Sequence, residues 1–326
     1  MALSLGLLTL SLLLGVVALN HGPAPLTPAE VAAGLCGWGN EEQRLIVQQI
    51  RLPRVVLAGV LGAALGTAGA ALQGLFRNPL AEPGLLGINA CAGLGAVTML
   101  YFGAAAASPW WPPLAAMLGA ALATLLLDAL ARAGATNATL LLAGVALSAL
   151  AAAVTALALN LAPDPAAVQD LLLWLLGSVS ERSFVDVGLC LPFVLVGLAL
   201  LFGSARALDV LSLGEAEAHS LGVALPSLRR RIVAGTALSV GSCVAVVGPV
   251  GFVGLVVPHL LRRFVHHRPG AVLLPSALGG AALVLAADLL VRLLDTPREL
   301  MLGVVAALLG APFFLVLTLR GGAREA

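Results

Sequence analysis

The chain has 326 residues, of which 60% are hydrophobic and only 10% carry a charge. Soluble domains have about 25% charged residues, so this composition, with a mean hydropathy of +1.05, excludes an ordinary soluble protein. All 17 basic residues are arginine. Because a Walker A loop needs a lysine on the nucleotide phosphates, the chain by itself is not an ATPase of that type.

Long apolar runs recur along the whole sequence and predict membrane-spanning helices. About 20 apolar residues cross a bilayer, and backbone groups inside lipid must bond to each other. The runs do not alternate in polarity, which favours helices over a barrel. We therefore predict an all-α, polytopic membrane protein with a single transmembrane domain over residues 1–326. The ten predicted spans are 3–19, 53–76, 84–102, 113–131, 139–160, 184–203, 229–247, 250–265, 271–291 and 300–319.

Two of these spans differ from the rest. Residues 1–19 lack the basic start and the cleavage site of a signal peptide, so we expect the first span to be retained. The 250–265 segment is short for a complete crossing.

Arginine in the loops sets the predicted orientation. Cytoplasmic loops carry an excess of basic residues, and ten spans place both termini on one side. With cytoplasmic termini, eleven arginines lie inside and six outside. The inner set is Arg77, Arg132, Arg206, Arg229, Arg230, Arg231, Arg262, Arg263, Arg268, Arg320 and Arg324. The outer set is Arg44, Arg51, Arg54, Arg182, Arg292 and Arg298.

Three segments between the spans are too polar to cross. Residues 20–52 form a predicted outer loop, 163–182 a short outer helix followed by a turn, and 204–228 an inner segment. In the inner segment, Glu215 and Glu217 precede Gly222, the order expected of a short helix. This segment is either a solvated loop or a docking helix for a cytoplasmic partner.

The sequence RNPLAEPGLLG at 77–87 separates the second span from the third. Proline breaks helices, and asparagine and glycine favour turns. We expect Asn78, Pro79 and Pro83 to turn the chain at the inner surface, where Arg77 faces lipid phosphates. The many glycines of the two flanking spans indicate either close helix packing or a path beside thin helices.

The sequence offers no motif for catalysis, cofactor binding or metal binding. The four scattered cysteines are expected to be small, buried hydrophobic residues. Asp288 and Arg292 have the spacing of an i,i+4 ion pair, as do Asp128 and Arg132. A proton relay would need more ionisable residues near the midplane, which argues against a proton-coupled pump.

Several motifs occur in the order that one family shows. They are QIRLPR at 49–54, Gln73 with RNPLAEPGLLGINA at 77–90, LLLAGVALSAL at 140–150, WLLGS at 174–178, LGEAEAHSLGV at 213–223, GPVGFVGLVVPHLLRR at 248–263 and GVVAALLGAPFFL at 303–315. The chain thereby resembles the FecCD-type permeases, the membrane subunits of importers for iron-siderophore, haem and cobalamin. It departs from them at Met301, where the family often has proline.

The resemblance implies a cobalamin/siderophore-importer-type permease fold in a bacterial inner membrane, with both termini cytoplasmic. It implies a homodimer, two cytoplasmic ATPase subunits that bind the ATP, and a periplasmic or lipoprotein substrate-binding protein. It implies neither a cofactor of the chain's own nor a nucleic-acid partner. The implied docking residues for the binding protein are Arg51, Arg54 and Arg292. The implied ATPase-coupling residues are Leu213, Gly214, Glu215, Ala218, Leu221 and Gly222.

The leading functional hypothesis is therefore a non-enzymatic permease subunit that imports an iron chelate, either a siderophore or haem. Cobalamin import by the same family is the alternative. A secondary transporter is the hypothesis from a different class, and it would need coupling-ion ligands near the midplane that the sequence hardly offers. An intramembrane enzyme would need a catalytic pair such as HExxH, which the sequence lacks.

Overall fold

The structure is a computed structural model that describes residues 2–102, 107–108, 110–161, 165–294 and 300–322. These residues form helices and turns, with no strand among them. The helices are α1 Ala2–Asn20, α2 Pro28–Cys36, α3 Glu41–Leu45, α4 Leu52–Phe76, α5 Ile88–Tyr101, α6 Trp111–Arg132, α7 Asn137–Asn160, α8 Pro165–Leu175, α9 Phe184–Phe202, α10 Ala205–Leu211, α11 Glu215–Ser220, α12 Leu225–Thr236, α13 Ser242–Val247, α14 Val253–Arg262, α15 Leu273–Leu293 and α16 Leu302–Gly322.

The all-α membrane architecture is confirmed, and each of the ten predicted spans contains one of these helices. Seven helices in the described ranges are long and apolar enough to cross a bilayer. α5 is a shorter apolar helix, and α14 has only 10 residues, in line with the short 250–265 segment. The total of ten spans stays a prediction.

Helix α4 lies at the centre of the molecule and is almost entirely buried. A Cβ added at Gly62 would meet the Gly280 carbonyl oxygen at 2.2 Å, and one at Gly69 would meet the Gly254 carbonyl oxygen at 1.9 Å. The backbones of α4, α14 and α15 therefore approach each other only because these positions lack side chains. For this span, close packing explains the glycines.

The peripheral helices α1, α6, α7 and α9 expose rows of leucine and valine side chains. Such surfaces suit contact with lipid tails or with another membrane-embedded surface. α1 packs against α15 near the opposite end of the chain, and Ser11 Oγ donates a hydrogen bond of 3.0 Å to the Leu278 carbonyl. The first helix is thus an integral part of the bundle.

Two spans are interrupted inside the bundle. The chain leaves α4 at Phe76, forms a 3₁₀ turn at Pro83–Leu86, and starts α5 only after Gly87. Gly87 lies against Gly144 and Ser148, at the middle of α7. The Gly248–Phe252 stretch precedes α14, and Gly254 at the start of α14 packs against Pro83, so the two interruptions lie close together. Non-helical backbone at this depth is tolerated because protein encloses it.

The predicted outer loop, 20–52, is more ordered than expected. It contains α2 and α3, and a π-helical stretch, Ile46–Arg51, joins α3 to α4 as one continuous helix. Thr27 with Glu30 and Asn40 with Gln43 form capping boxes at the two helix starts. The prediction of a short helix within 163–182 is confirmed by α8.

Candidate translocation path and partner surfaces

A large cavity lies at one end of the bundle and has a volume of about 920 Å³. Helix α9 starts beside it and ends next to α10, so the cavity and the α10–α11 segment lie at opposite faces of the molecule. We call it the outer cavity, after the predicted orientation. It is lined by Leu100, Gln169, Leu173, Trp174, Leu176, Ser178, Ser180, Glu181, Arg182, Val247, Leu300, Met301 and Val304.

A second cavity of about 540 Å³ lies between α5, α7 and α8. Its wall includes Leu175 and Pro249, which adjoin the lining of the outer cavity in sequence, and it reaches Gly84 of the 3₁₀ turn. Three polar side chains, those of Asn89, Ser148 and Thr155, also line this wall. The two cavities together extend from one face to the middle of the bundle, and we call them the candidate path.

Because the second, third, fifth and tenth spans are the thinnest, the sequence predicts that they contribute most to dimer contact or to the lining of the path, and the candidate path agrees with this in part. The third, fifth and tenth spans line it through α5, α7 and the start of α16. The second span, α4, lines neither of these cavities, because its small residues are used for packing.

A buried ion-pair network lies behind the outer cavity. The Arg54 guanidinium donates to Asp288 Oδ1 at 2.8 and 2.9 Å and to Ser180 Oγ at 3.1 Å. Arg292 donates to Asp288 Oδ2 at 2.5 and 2.9 Å and to the Ala18 carbonyl at 2.8 Å. The Asp288 side chain is only 1% exposed. The predicted pair of Asp288 with Arg292 is confirmed, and Arg54 is a further partner.

The predicted docking arginines are therefore engaged inside the protein. Arg51 is 3% exposed and donates to the Leu19 carbonyl at 2.7 Å and the Ala24 carbonyl at 2.5 Å. Arg51 and Arg54 therefore lie within the protein and do not extend to the lipid headgroups. Docking to a binding protein stays a prediction, and it would require these side chains to exchange internal partners for external ones.

The opposite face carries the α10–α11 segment. A short helix was predicted within Leu213–Val223, and α11 confirms it. Gly214 precedes α11 with φ +135°, a conformation that favours glycine, and Gly222 follows it with φ +84°. Leu213 and Leu221 are 65% and 64% exposed. Two apolar side chains thus protrude from a polar surface.

Two other residues of the predicted coupling set anchor this segment. Ala218 is fully buried against the bundle. Glu215 forms a 3.3 Å ion pair with Arg229 of α12. The face that contains Leu213 and Leu221 is therefore held on the membrane bundle and directed outward from it.

The 77–87 turn ends α4 as predicted. Arg77 has φ +50° at the helix end, and Asn78 Oδ1 accepts a 2.9 Å hydrogen bond from the Leu80 N–H. Pro79 follows, and Pro83 opens the 3₁₀ turn. The expectation that all of this lies at the inner surface needs correction, because Pro83 contacts Gly254 inside the bundle.

Sequence reasoning missed the residues of the outer cavity. Arg182 was only counted among the outer arginines, and Trp174 and Ser178 appeared only within WLLGS. The available signal was local: a tryptophan at the end of a short outer helix is followed within ten residues by a glycine–serine turn and a Glu–Arg pair.

The FecCD transport family model matches residues 8–320. The vitamin B12 import system permease BtuC of Vibrio cholerae is 44% identical over 87% of this chain and 85% of its own length. The hemin transport system permease HmuU of Yersinia pestis is 42% identical over 83% of this chain and 82% of its own length.

A solved structure agrees with the sequence comparisons. It is described as an inward-facing conformation of a metal-chelate type ABC transporter. The two chains superpose with a TM-score of 0.85 at 28% identity, over 98% of this chain and 99% of the other. The chain belongs to the FecCD transport family of ABC importer permeases.

Proposed function

We propose that this chain is the membrane subunit through which a metal chelate enters the cell, driven by ATP hydrolysis on a separate subunit. The observation that carries this proposal is the candidate path, which leads from one face to the middle of the bundle, opposite the exposed α11. An importer that is driven by a separate ATPase subunit needs a cavity on the face where the ligand enters and a binding site for that subunit on the other face.

The substrate class has two candidates. An iron chelate, siderophore or haem, is the first expectation from sequence, and the similarity to a hemin permease favours it. The similarity to permeases named for vitamin B12 and cobalamin favours a corrinoid equally. Both are bulky metal chelates of a size suited to a path with few polar contacts.

The partners we propose are a second copy of this chain, two ATPase subunits at α11 and a delivery protein at the outer cavity. Arg51, Arg54 and Arg292 lie beneath that outer face. A delivery protein that engages them must offer carboxylates strong enough to replace Asp288 and the carbonyl groups.

The test needs a delivery protein and an ATPase, which are first sought among the genes that adjoin the gene for this chain. Calorimetry with haemin, a ferric siderophore and cyanocobalamin identifies the ligand of the delivery protein. The reconstituted importer is then expected to hydrolyse ATP faster with the loaded delivery protein and to accumulate that ligand in proteoliposomes. Accumulation that follows an imposed ion gradient without ATP would overturn the proposal in favour of a secondary transporter.

A further inference from the structure

Arg182 is the exception among the buried arginines of this face. The Arg182 Nε–H is fully enclosed and has no hydrogen-bond partner within the described part of the chain, although the residue lines the outer cavity. Arg51, by contrast, bonds to two carbonyls. An unpaired donor on a charged group is unfavourable. The two terminal nitrogens of Arg182 are not enclosed and donate no hydrogen bond within the described part of the chain, so a ligand in the cavity can accept from them.

The neighbouring acids, Asp186 and Glu181, do not accept a hydrogen bond from the Arg182 Nε–H. Asp186 Oδ2 accepts from the Ser183 N–H at 2.8 Å and from Ser183 Oγ at 2.9 Å, where it caps α9. Glu181 is exposed, with a backbone φ of +58°. Burial lowers the pKa of Arg182, while the charges of Asp186 and Glu181 raise it. The guanidinium keeps its charge, because an arginine pKa lies far above physiological pH.

We propose that the outer cavity contains an anion subsite in which Arg182 binds a carboxylate or phosphate group of the transported chelate. This inference rests on the proposed function, since it assigns a chemical feature to the cargo. A guanidinium fork matches the oxygens of carboxylate and phosphate.

The surrounding wall supports the same ligand class. Gln169 and Ser178 line the cavity with Arg182 and can donate further hydrogen bonds. Trp174 offers an aromatic surface in the same wall, suited to the apolar body of a ring-shaped chelate. A volume of about 920 Å³ lies within the usual range for ligand pockets.

Two matched probe pairs test the subsite. Haemin carries two carboxylates that its dimethyl ester lacks, and cyanocobalamin carries a phosphate that dicyanocobinamide lacks. The importer is reconstituted with its ATPase and delivery protein, and uptake is compared between wild type and Arg182→Gln. We expect Arg182→Gln to lower uptake of the anionic probe about tenfold at limiting concentration and to leave the neutral probe unchanged. Equal losses for both members of a pair would mean a structural role and would overturn the proposal.

Neighbouring variants separate a specific bond from general electrostatics. Glu181→Gln removes a nearby negative charge and should raise uptake of the anionic probe. Arg44→Gln removes an exposed arginine of the predicted outer loop and should change neither probe. Arg182→Lys keeps the charge without the fork and should restore part of the loss. An Arg44→Gln effect as large as that of Arg182→Gln would assign the loss to surface potential and overturn the subsite.

A chemical measurement tests the subsite without transport. Phenylglyoxal modifies arginine, and mass spectrometry reads its rate at Arg182 in nanodiscs of phosphatidylcholine. Haemin should slow the reaction, and its dimethyl ester should not. Protection by phosphatidylglycerol but not by haemin would assign the anion to lipid and overturn the proposal. If wild type takes up neither the four probes nor a ferric siderophore while haemin protects Arg182, the proposed function fails, and Arg182 stands as an anion site of the cavity.

Discussion

Asp288 joins parts of the chain that sequence spacing alone does not connect. Its pair with Arg292 follows from i,i+4 spacing on one helix, and that part could be predicted. Its bonds to Arg54 cross 234 positions, and no local pattern reports such a contact. Arg292 in turn donates to the Ala18 carbonyl near the end of α1. One carboxylate therefore fixes the relative positions of three helices.

Removing this carboxylate charge should destabilise the protein strongly. Asp288→Asn leaves Arg54 and Arg292 without their shared buried counter-charge, and breaking a buried pair typically costs about 3–5 kcal/mol. Asp128→Asn is the matched control, because its partner Arg132 is 65% exposed and exposed pairs contribute about 0–1 kcal/mol. Thermal unfolding in detergent should show a large fall in Tm for Asp288→Asn only. Equal shifts in the two variants would show that the network contributes little.

The buried ion-pair network around Asp288 also changes the expected effect of reversing the charges of Arg51 and Arg54. Sequence alone suggests that Arg51→Glu with Arg54→Glu abolishes delivery-protein binding by repulsion. In the structure this double change places acids beside Asp288 and against backbone carbonyls, so we expect poor folding before any docking defect. The expression level and the size-exclusion profile of the double mutant should reveal this poor folding. A well-folded double mutant that no longer binds the delivery protein would restore the docking interpretation.

At the scale of helices, α11 shows how far sequence reasoning reaches. Acids at its start and glycine after its end predicted a short helix, because cap chemistry is local. The exposure of Leu213 and Leu221 could not be predicted, since it depends on Ala218 facing the bundle. The capping boxes at Thr27 and Asn40 likewise correspond to local sequence patterns that indicate helix starts. The depth of the 83–87 turn was not readable, because hydropathy reports composition and not position along the membrane normal.

We expect the two protruding leucines to contribute directly to ATPase docking. Leu213→Ser with Leu221→Ser removes apolar area worth about 1.5–3 kcal/mol per side chain and should weaken ATPase association at least tenfold. His219→Ser, on the same short helix, should have little effect. Pull-down and ligand-stimulated ATP hydrolysis measure this, and wild-type coupling in the double variant would rule out the surface.

Replacing Glu215 and Gly222 with alanine should also uncouple hydrolysis from uptake while leaving the chain folded. It removes the ion pair with Arg229 and places a side chain at φ +84°, which costs about 1–2 kcal/mol locally. Unchanged uptake and hydrolysis would show that the segment tolerates displacement.

At the scale of the whole molecule, the candidate path predicts a pattern of accessibility along α7. In a background with Cys36 replaced by serine, a Thr155→Cys thiol faces the second cavity and should react with a polar reagent added from outside. Leu157→Cys is the control, because Leu157 is 56% exposed on the helix surface, where lipid slows polar reagents. The substrate should slow only the first reaction. Equal reactivity would mean that the cavity is not a route for solutes.

The pairing of α1 with α15 has a consequence for how the protein is made. Ser11 and Leu278 are 267 positions apart, and ribosomes add about 5–20 residues per second. The first helix therefore stays in the bilayer for about 13–53 s at these rates before its final neighbour emerges. During that interval the Ala18 carbonyl lacks its bond from Arg292, and Ser11 Oγ has only the Leu7 carbonyl of its own helix as a native partner. A chaperone or insertase with a polar groove would shield these groups during the interval. Slow translation before α15 would lengthen the interval and favour degradation of the chain.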